Sequence, residues 1–116
     1  RQRAHAPYSK FQVGAAILCD DGSISSGCNI ENASYGLTVC AERNAVGAMV
    51  LGARKPVAVA IVADSREPTP PCGMCRQVLA EFGGDSLPVV SRTLAGKEAR
   101  WTMAELLPHA FTRSFL

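Results

Sequence analysis

Two short stretches hold residues able to do chemistry together, Cys40-Ala41-Glu42-Arg43 and Pro71-Cys72-Gly73-Met74-Cys75-Arg76. Cys40, Cys72 and Cys75 can supply three thiolates to one metal ion. Structural zinc is closed by four protein ligands, whereas catalytic zinc keeps three and leaves a position for water or substrate. A set of three therefore predicts a catalytic Zn2+ site. Glu42 follows two residues after the first ligand. A carboxylate placed there can take a proton from an activated water and deliver it elsewhere, the acid/base task of metal-assisted hydrolysis. Read alone, Glu42 is an ordinary first-turn acid favoured by the helix dipole. Among the cysteines it reads as catalytic.

The elements that must position these groups are two helix starts. Cys72 and Cys75, three apart, share one face of a helix that Pro71 opens from its first turn. Cys40 opens the helix-like run Ala41 to Val46. Two helix N-termini then direct partial positive charge at the sulfurs and favour the ionised, metal-binding form. Arg43 and Arg76, each directly after a ligand, are expected to offset the remaining negative charge by hydrogen bonding to sulfur.

A chain of 116 residues is expected to form one domain, 1–116, small enough for a neighbouring subunit to help enclose a site. Hydrophobic content of 47% with 19% charged residues describes a folded chain rather than a disordered one. The net charge of +2 is scattered, with no basic block or aromatic-interleaved stripe, so a nucleic-acid polymer is not the expected partner. Five cysteines is an odd number, and three already have a metal explanation, which argues for the reducing cytoplasm over a disulfide framework. Cys19 and Cys28 read as small buried hydrophobes on strands. No signal-peptide pattern or bilayer-length apolar run is visible, so no membrane is expected, and the absence of an initial Met leaves room for residues before Arg1.

Taken in order, Arg1 to Ala6 reads as the tail of a helix ended by Pro7. Phe11 to Cys19 is a strand stopped by Asp20-Asp21-Gly22, a hairpin signal, with Ser23 to Ile30 returning. A polar loop leads to the helix from Cys40 to about Leu51. Pro56 to Ala63 is a continuous apolar run, as expected of a strand covered on both faces. The second cysteine helix runs to Gly83-Gly84, and Leu87 to Ser91 is a further strand. Thr93 to Arg100 is a polar turn or hairpin region. Thr102-Met103-Ala104-Glu105 is a capping-box pattern opening a short helix that Pro108 closes. Alternating strands and helices imply an α/β domain with helices on both faces of one sheet, its ligands at the carboxyl ends of strands.

Five motifs in order, Pro7-Tyr8-Ser9-Lys10-Phe11-Gln12-Val13-Gly14-Ala15-Ala16, Gly27-Cys28-Asn29-Ile30-Glu31-Asn32-Ala33-Ser34-Tyr35-Gly36, Cys40-Ala41-Glu42-Arg43, Pro71-Cys72-Gly73-Met74-Cys75-Arg76-Gln77-Val78 and Glu105-Leu106-Leu107-Pro108, resemble the short-chain, homotetrameric cytidine deaminases. The resemblance implies a three-layer α/β/α sandwich with a mixed central sheet. It also implies hydrolytic deamination of free cytidine and deoxycytidine in pyrimidine salvage. Cys40, Cys72 and Cys75 would hold zinc, Arg43 would support the ligands, and Glu42 would shuttle protons. The Ala41 N–H would hold the pyrimidine carbonyl, and the Pro71 carbonyl would contact the departing amino group. Asn29 and Glu31 would bracket the ribose 3′-hydroxyl, as an amide and a carboxylate can. Phe11 resembles the aromatic that packs on base or sugar, although by itself it reads as a core strand residue. Phe111 resembles the C-terminal aromatic that stacks on the pyrimidine in a neighbouring subunit's site; a hydrophobic anchor for the tail is its competing reading. Tyr35 would similarly reach across a subunit contact. His109 departs from the family pattern, standing where relatives often carry a small residue.

The rivals are a related deaminase acting on a nucleoside-like antibiotic such as blasticidin S, then a polynucleotide deaminase, then a structural four-cysteine zinc module using Cys19 or Cys28 as fourth ligand, or a redox Cys-x-x-Cys pair. The last two leave Glu42 and the Asn29/Glu31 segment unexplained.

Overall fold

The computed structural model describes residues 1–116. Five strands, β1 (Val13–Cys19), β2 (Ile24–Cys28), β3 (Pro56–Ala63), β4 (Pro88–Thr93) and β5 (Glu98–Thr102), form one sheet in the order β2-β1-β3-β4-β5. β1 is antiparallel to both β2 and β3, β3 and β4 are parallel, and β5 returns antiparallel to β4. The mixed α/β architecture is the expected one. Asp20-Asp21-Gly22 makes the first hairpin: Gly22 takes φ 83, and the Asp21 carboxylate accepts the Ser23 N–H at 2.9 Å. Helix α1 (Ala41–Leu51) links β2 to β3, α2 (Gly73–Gly83) makes the crossover between the parallel strands, and α3 (Met103–Leu106) follows β5.

The period of two along each strand decides which side chains meet the helices. Ile17, Val59 and Val89 lie in register across three adjacent strands and are all buried. Met49 of α1, Leu79 of α2, and Met103 and Leu106 of α3 join them in one core. Each such side chain stabilises by about 1.5–3 kcal/mol when fully buried. The capping box expected at α3 forms as read, with Thr102 and Glu105 exchanging bonds.

All three helices thus converge on one face. The opposite face carries Gly14, Ala16, Ala60, Val62 and Val90 and opens onto a hollow of about 790 Å³. Within residues 1–116, helices α1, α2 and α3 therefore form a layer on one face of the sheet. The apolar run of β3, expected to be covered on both sides, alternates instead, with Ile61 at 3% exposure and Ala60 exposed.

Two further elements differ from the sequence reading. Arg1 to Ala6 is not helical; His5 forms a β-bridge with Ile30, fastened through the Asn29 carbonyl and the Glu31 N–H. β2 stops at Cys28 because Asn29 turns its amide inward to the β1 backbone. The segment after Thr93, read as a polar turn or hairpin region, is a hairpin with strand β5 that turns at Gly96 with φ 95.

Candidate active site

Both cysteine motifs sit at helix N-termini, and their sulfurs meet because α1 and α2 pack side by side. Cys40 is the N-cap of α1 and Cys72 the N-cap of α2, and neither thiol is used to cap its own helix. Pro71 stands one residue before the cap rather than in the first turn, its ring fully buried. Gly27 of β2 allows α1 to start this close to the sheet. A Cβ there would lie 2.5 Å from the Ala41 carbonyl and from the Ala45 nitrogen.

The Cys40 and Cys72 sulfurs are 3.7 Å apart, and those of Cys72 and Cys75 3.5 Å. All three lie within 4.8 Å of one another. A tetrahedral ion with Zn–S bonds of about 2.3 Å requires ligand sulfurs about 3.8 Å apart, so the donor set fits zinc in both chemistry and spacing. Cys19 is buried with its thiol against the Ile17 carbonyl and Ser25, and Cys28 ends β2, so neither joins the cluster as a fourth ligand.

Electrostatics separate the three thiols. The hydrogen bond from Cys75, aided by Cys72 and by the Arg43 guanidinium, pulls Cys40 down to about 5 against the effect of its own burial. The same bond to Cys40, together with burial and the nearby Glu42 carboxylate, holds the Cys75 thiol far above the ordinary range. A bound dication would favour the ionised form of the Cys75 thiol. Glu42 is 5% exposed, and burial pushes its carboxyl above the ordinary value, with the Cys40 charge acting the same way.

The two arginines part company. Arg43 lies beside Cys40 and Cys75, as expected, and also donates to the Thr38 carbonyl at 3.0 Å. Arg76 does not reach sulfur. Its Nε donates to the Pro71 carbonyl at 2.8 Å and its Nη1 to the Leu106 carbonyl at 2.7 Å. Pointing away along α2, its side chain finds two main-chain acceptors that no spacing rule in the sequence connects to it.

A smaller hollow of about 350 Å³ is lined by Tyr8, Ser9, Glu31, Asn32, Tyr35 and Thr38. Glu31 accepts the Tyr8 and Ser9 N–H groups at 2.9 and 3.3 Å and the Ser9 hydroxyl. Asn29 accepts the Val13 N–H and donates to the Phe11 carbonyl, each at 2.8 Å. Both side chains therefore anchor the Tyr8 to Val13 segment, and Lys10 at φ 60 redirects the chain into Phe11, which is 38% exposed. Sequence reasoning missed Ser9, a common loop residue whose partner lies 22 positions away. Phe111 is 59% exposed and stacks on Phe115 with centroids 5.7 Å apart, so within one chain it does not anchor the tail in a core. His109 adopts φ 59, a left-handed conformation that glycine takes most easily.

The family described as the cytidine and deoxycytidylate deaminase zinc-binding region matches residues 1–91. The chain belongs to this deaminase family. A cytidine deaminase of Halalkalibacterium halodurans is 55% identical over 113 residues, covering 97% of this chain and 86% of that protein. The crystal structure of the cytidine deaminase from Burkholderia pseudomallei superposes with a TM-score of 0.91 at 45% identity, covering 96% of this chain and 90% of that one. A blasticidin-S deaminase of Bacillus cereus is similar at 34% identity over 91% of this chain and 81% of its own. Zinc is the cofactor of this deaminase family, and the cluster of Cys40, Cys72 and Cys75 is the group in this chain able to hold it.

Proposed function

We propose that the protein hydrolyses free cytidine and deoxycytidine to uridine and deoxyuridine with release of ammonia, through one domain spanning residues 1–116. The observation that carries this reading is the buried Glu42 carboxyl at the start of α1, beside three converging thiols. A three-sulfur set leaves a coordination position open, and a buried carboxyl with a raised pKa is suited to accept and return a proton. Cys40, Cys72 and Cys75 would hold zinc, which would supply Lewis-acid activation of a water.

The protein's own groups do the rest. Glu42 takes the proton of the attacking water and gives it to N3 as the new C–O bond forms at C4. It then takes the remaining proton from the new C4 hydroxyl and hands it to the amino group, which leaves as ammonia as the C4–N bond breaks and the C4 carbonyl forms. The Ala41 N–H, at the first position of α1 and without a partner inside the helix, is suited to hold the pyrimidine carbonyl. The Pro71 carbonyl accepts from the departing amino group. Arg43, beside Cys40 and Cys75, offsets thiolate charge. Glu31 and Asn29 hold the ribose 3′-hydroxyl with the acceptor and donor capacity left after their backbone contacts, and Phe11 packs on the nucleoside.

The site is completed in a homotetramer. Phe111, Phe115 and Tyr35 are 59%, 71% and 76% exposed, which supports their meeting neighbouring subunits, with Phe111 stacking on the pyrimidine. No helix is long and apolar enough to cross a membrane, and all five cysteines are free, which supports a cytoplasmic role in pyrimidine salvage. The test is ammonia release from cytidine, deoxycytidine and blasticidin S by zinc-loaded protein. Turnover of the two nucleosides is expected; turnover of blasticidin S alone would replace this reading with its nearest rival.

A further inference from the structure

Arg76 stands one residue beyond Cys75, yet its donors serve two distant main-chain oxygens. Nε reaches the Pro71 carbonyl at 2.8 Å, and Nη1 reaches the Leu106 carbonyl at 2.7 Å. Leu106 ends α3, so its carbonyl has no partner further along the helix. Next to Arg76, the Gln77 amide donates to the Phe111 carbonyl at 2.9 Å. Two adjacent side chains of α2 thus fasten the residue before Cys72, the end of α3 and the aromatic tail to one helical turn. Neither salt bridge in the molecule involves Arg76, so its half-buried charge is spent on neutral carbonyls rather than on an acid.

A guanidinium donates in two fixed directions at once, which an ammonium on a flexible stem does not. A carbonyl oxygen carries two lone pairs, and a donor on one leaves the other directed and free. We infer that Arg76 is a positioning residue for the deamination step: it orients the Pro71 carbonyl toward the leaving amino group and ties that orientation to the segment carrying Phe111. The inference rests on the proposed role of Pro71. As the amino nitrogen is protonated its N–H groups become stronger donors, so a misdirected carbonyl is felt more in the transition state than on binding. The consequence is a defect in kcat rather than in affinity for a ligand that has no amino group.

The experiment compares wild type, Arg76→Met and Arg76→Lys, all zinc-loaded, for kcat and KM with cytidine. It adds the inhibition constant of a pyrimidin-2-one ribonucleoside, which lacks the 4-amino group, and zinc content per chain. Wild-type turnover, measured in the same assay, separates failure of the deaminase reading from failure of this inference. The expected result is a fall in kcat of about tenfold to a hundredfold, the usual consequence of misplacing a reacting group by about an ångström, with zinc content and the inhibition constant unchanged. Arg76→Lys, which keeps the charge and the stem, decides the matter where Arg76→Met does not fold. An unchanged kcat would overturn the inference. So would an inhibition constant that rises in step with the loss of kcat, or loss of zinc in the lysine variant, since each makes Arg76 a general scaffold residue.

Discussion

The Ser9 hydroxyl donates to the Glu31 carboxylate across 22 residues of sequence, and this contact ties the loop before β1 to the segment after β2. The Ser9 hydroxyl, followed by the Tyr8 and Ser9 N–H groups, holds the Glu31 carboxyl below its ordinary 4.5. A depressed native pKa stabilises the fold above the unfolded value, and that contribution is lost as pH falls through the lowered native value. The melting temperatures of wild type and Glu31→Gln should therefore differ most above pH 4.5 and converge as the solution is acidified. A difference that stays constant with pH would show that the carboxylate charge plays no part.

Gly27 is the close contact between β2 and the start of α1. In Gly27→Ala the new methyl meets the backbone of α1 at 2.5 Å, which rigid main chain cannot relieve by a rotamer change. The variant should lose about 1–3 kcal/mol of stability, the usual cost of overpacking, and hold zinc less tightly because Cys40 begins the displaced helix. Thermal unfolding and zinc content per chain check both effects together. Unaltered values of both would mean that the helix start shifts freely.

Phe111 presents an aromatic face to solvent within one chain. In Phe111→Ala, kcat/KM for cytidine should fall by a factor corresponding to about 1–3 kcal/mol, the range for stacking on a base, while the melting temperature changes little. Unchanged kinetics would reduce Phe111 to a tail residue.

The metal also bears on stability. Cys72 is exposed at the N-cap position of α2, so Cys72→Ala removes a ligand without opening a core cavity. Zinc content should fall sharply. Chelator should lower the melting temperature of wild type much more than that of the variant, because metal binding to a native site is folding free energy. Equal sensitivity of the two proteins to chelator would contradict the ligand assignment.

Features whose cause lies within a few residues were legible in the sequence. The Cys40 and Cys72 helix starts, the Asp21-Gly22 turn and the Thr102/Glu105 capping box follow from local chemistry, and the convergence of three thiols follows from ligand number. What escaped depends on distant main-chain groups, which have no residue code. Arg76 looks like a neighbour of the metal until the Leu106 carbonyl, 30 positions away, is seen to receive it. Asn29 and Glu31 looked like surface groups free to meet a sugar, and their hold on the Tyr8 to Val13 backbone emerges only from the fold. The apolar run of β3 gave no way to count helical layers, because small residues such as Ala58 and Ala60 suit a covered face and an open one alike.

The central claim is that Glu42 moves protons beside a zinc held by three cysteines. Its most direct test is ammonia release from cytidine by zinc-loaded wild type and Glu42→Ala, with zinc content measured in both. Wild type should turn over, while Glu42→Ala should retain zinc and lose turnover by a factor of at least about 10²–10⁴, the usual contribution of a positioned acid/base. Near-normal turnover by the zinc-loaded Glu42→Ala protein would contradict the account.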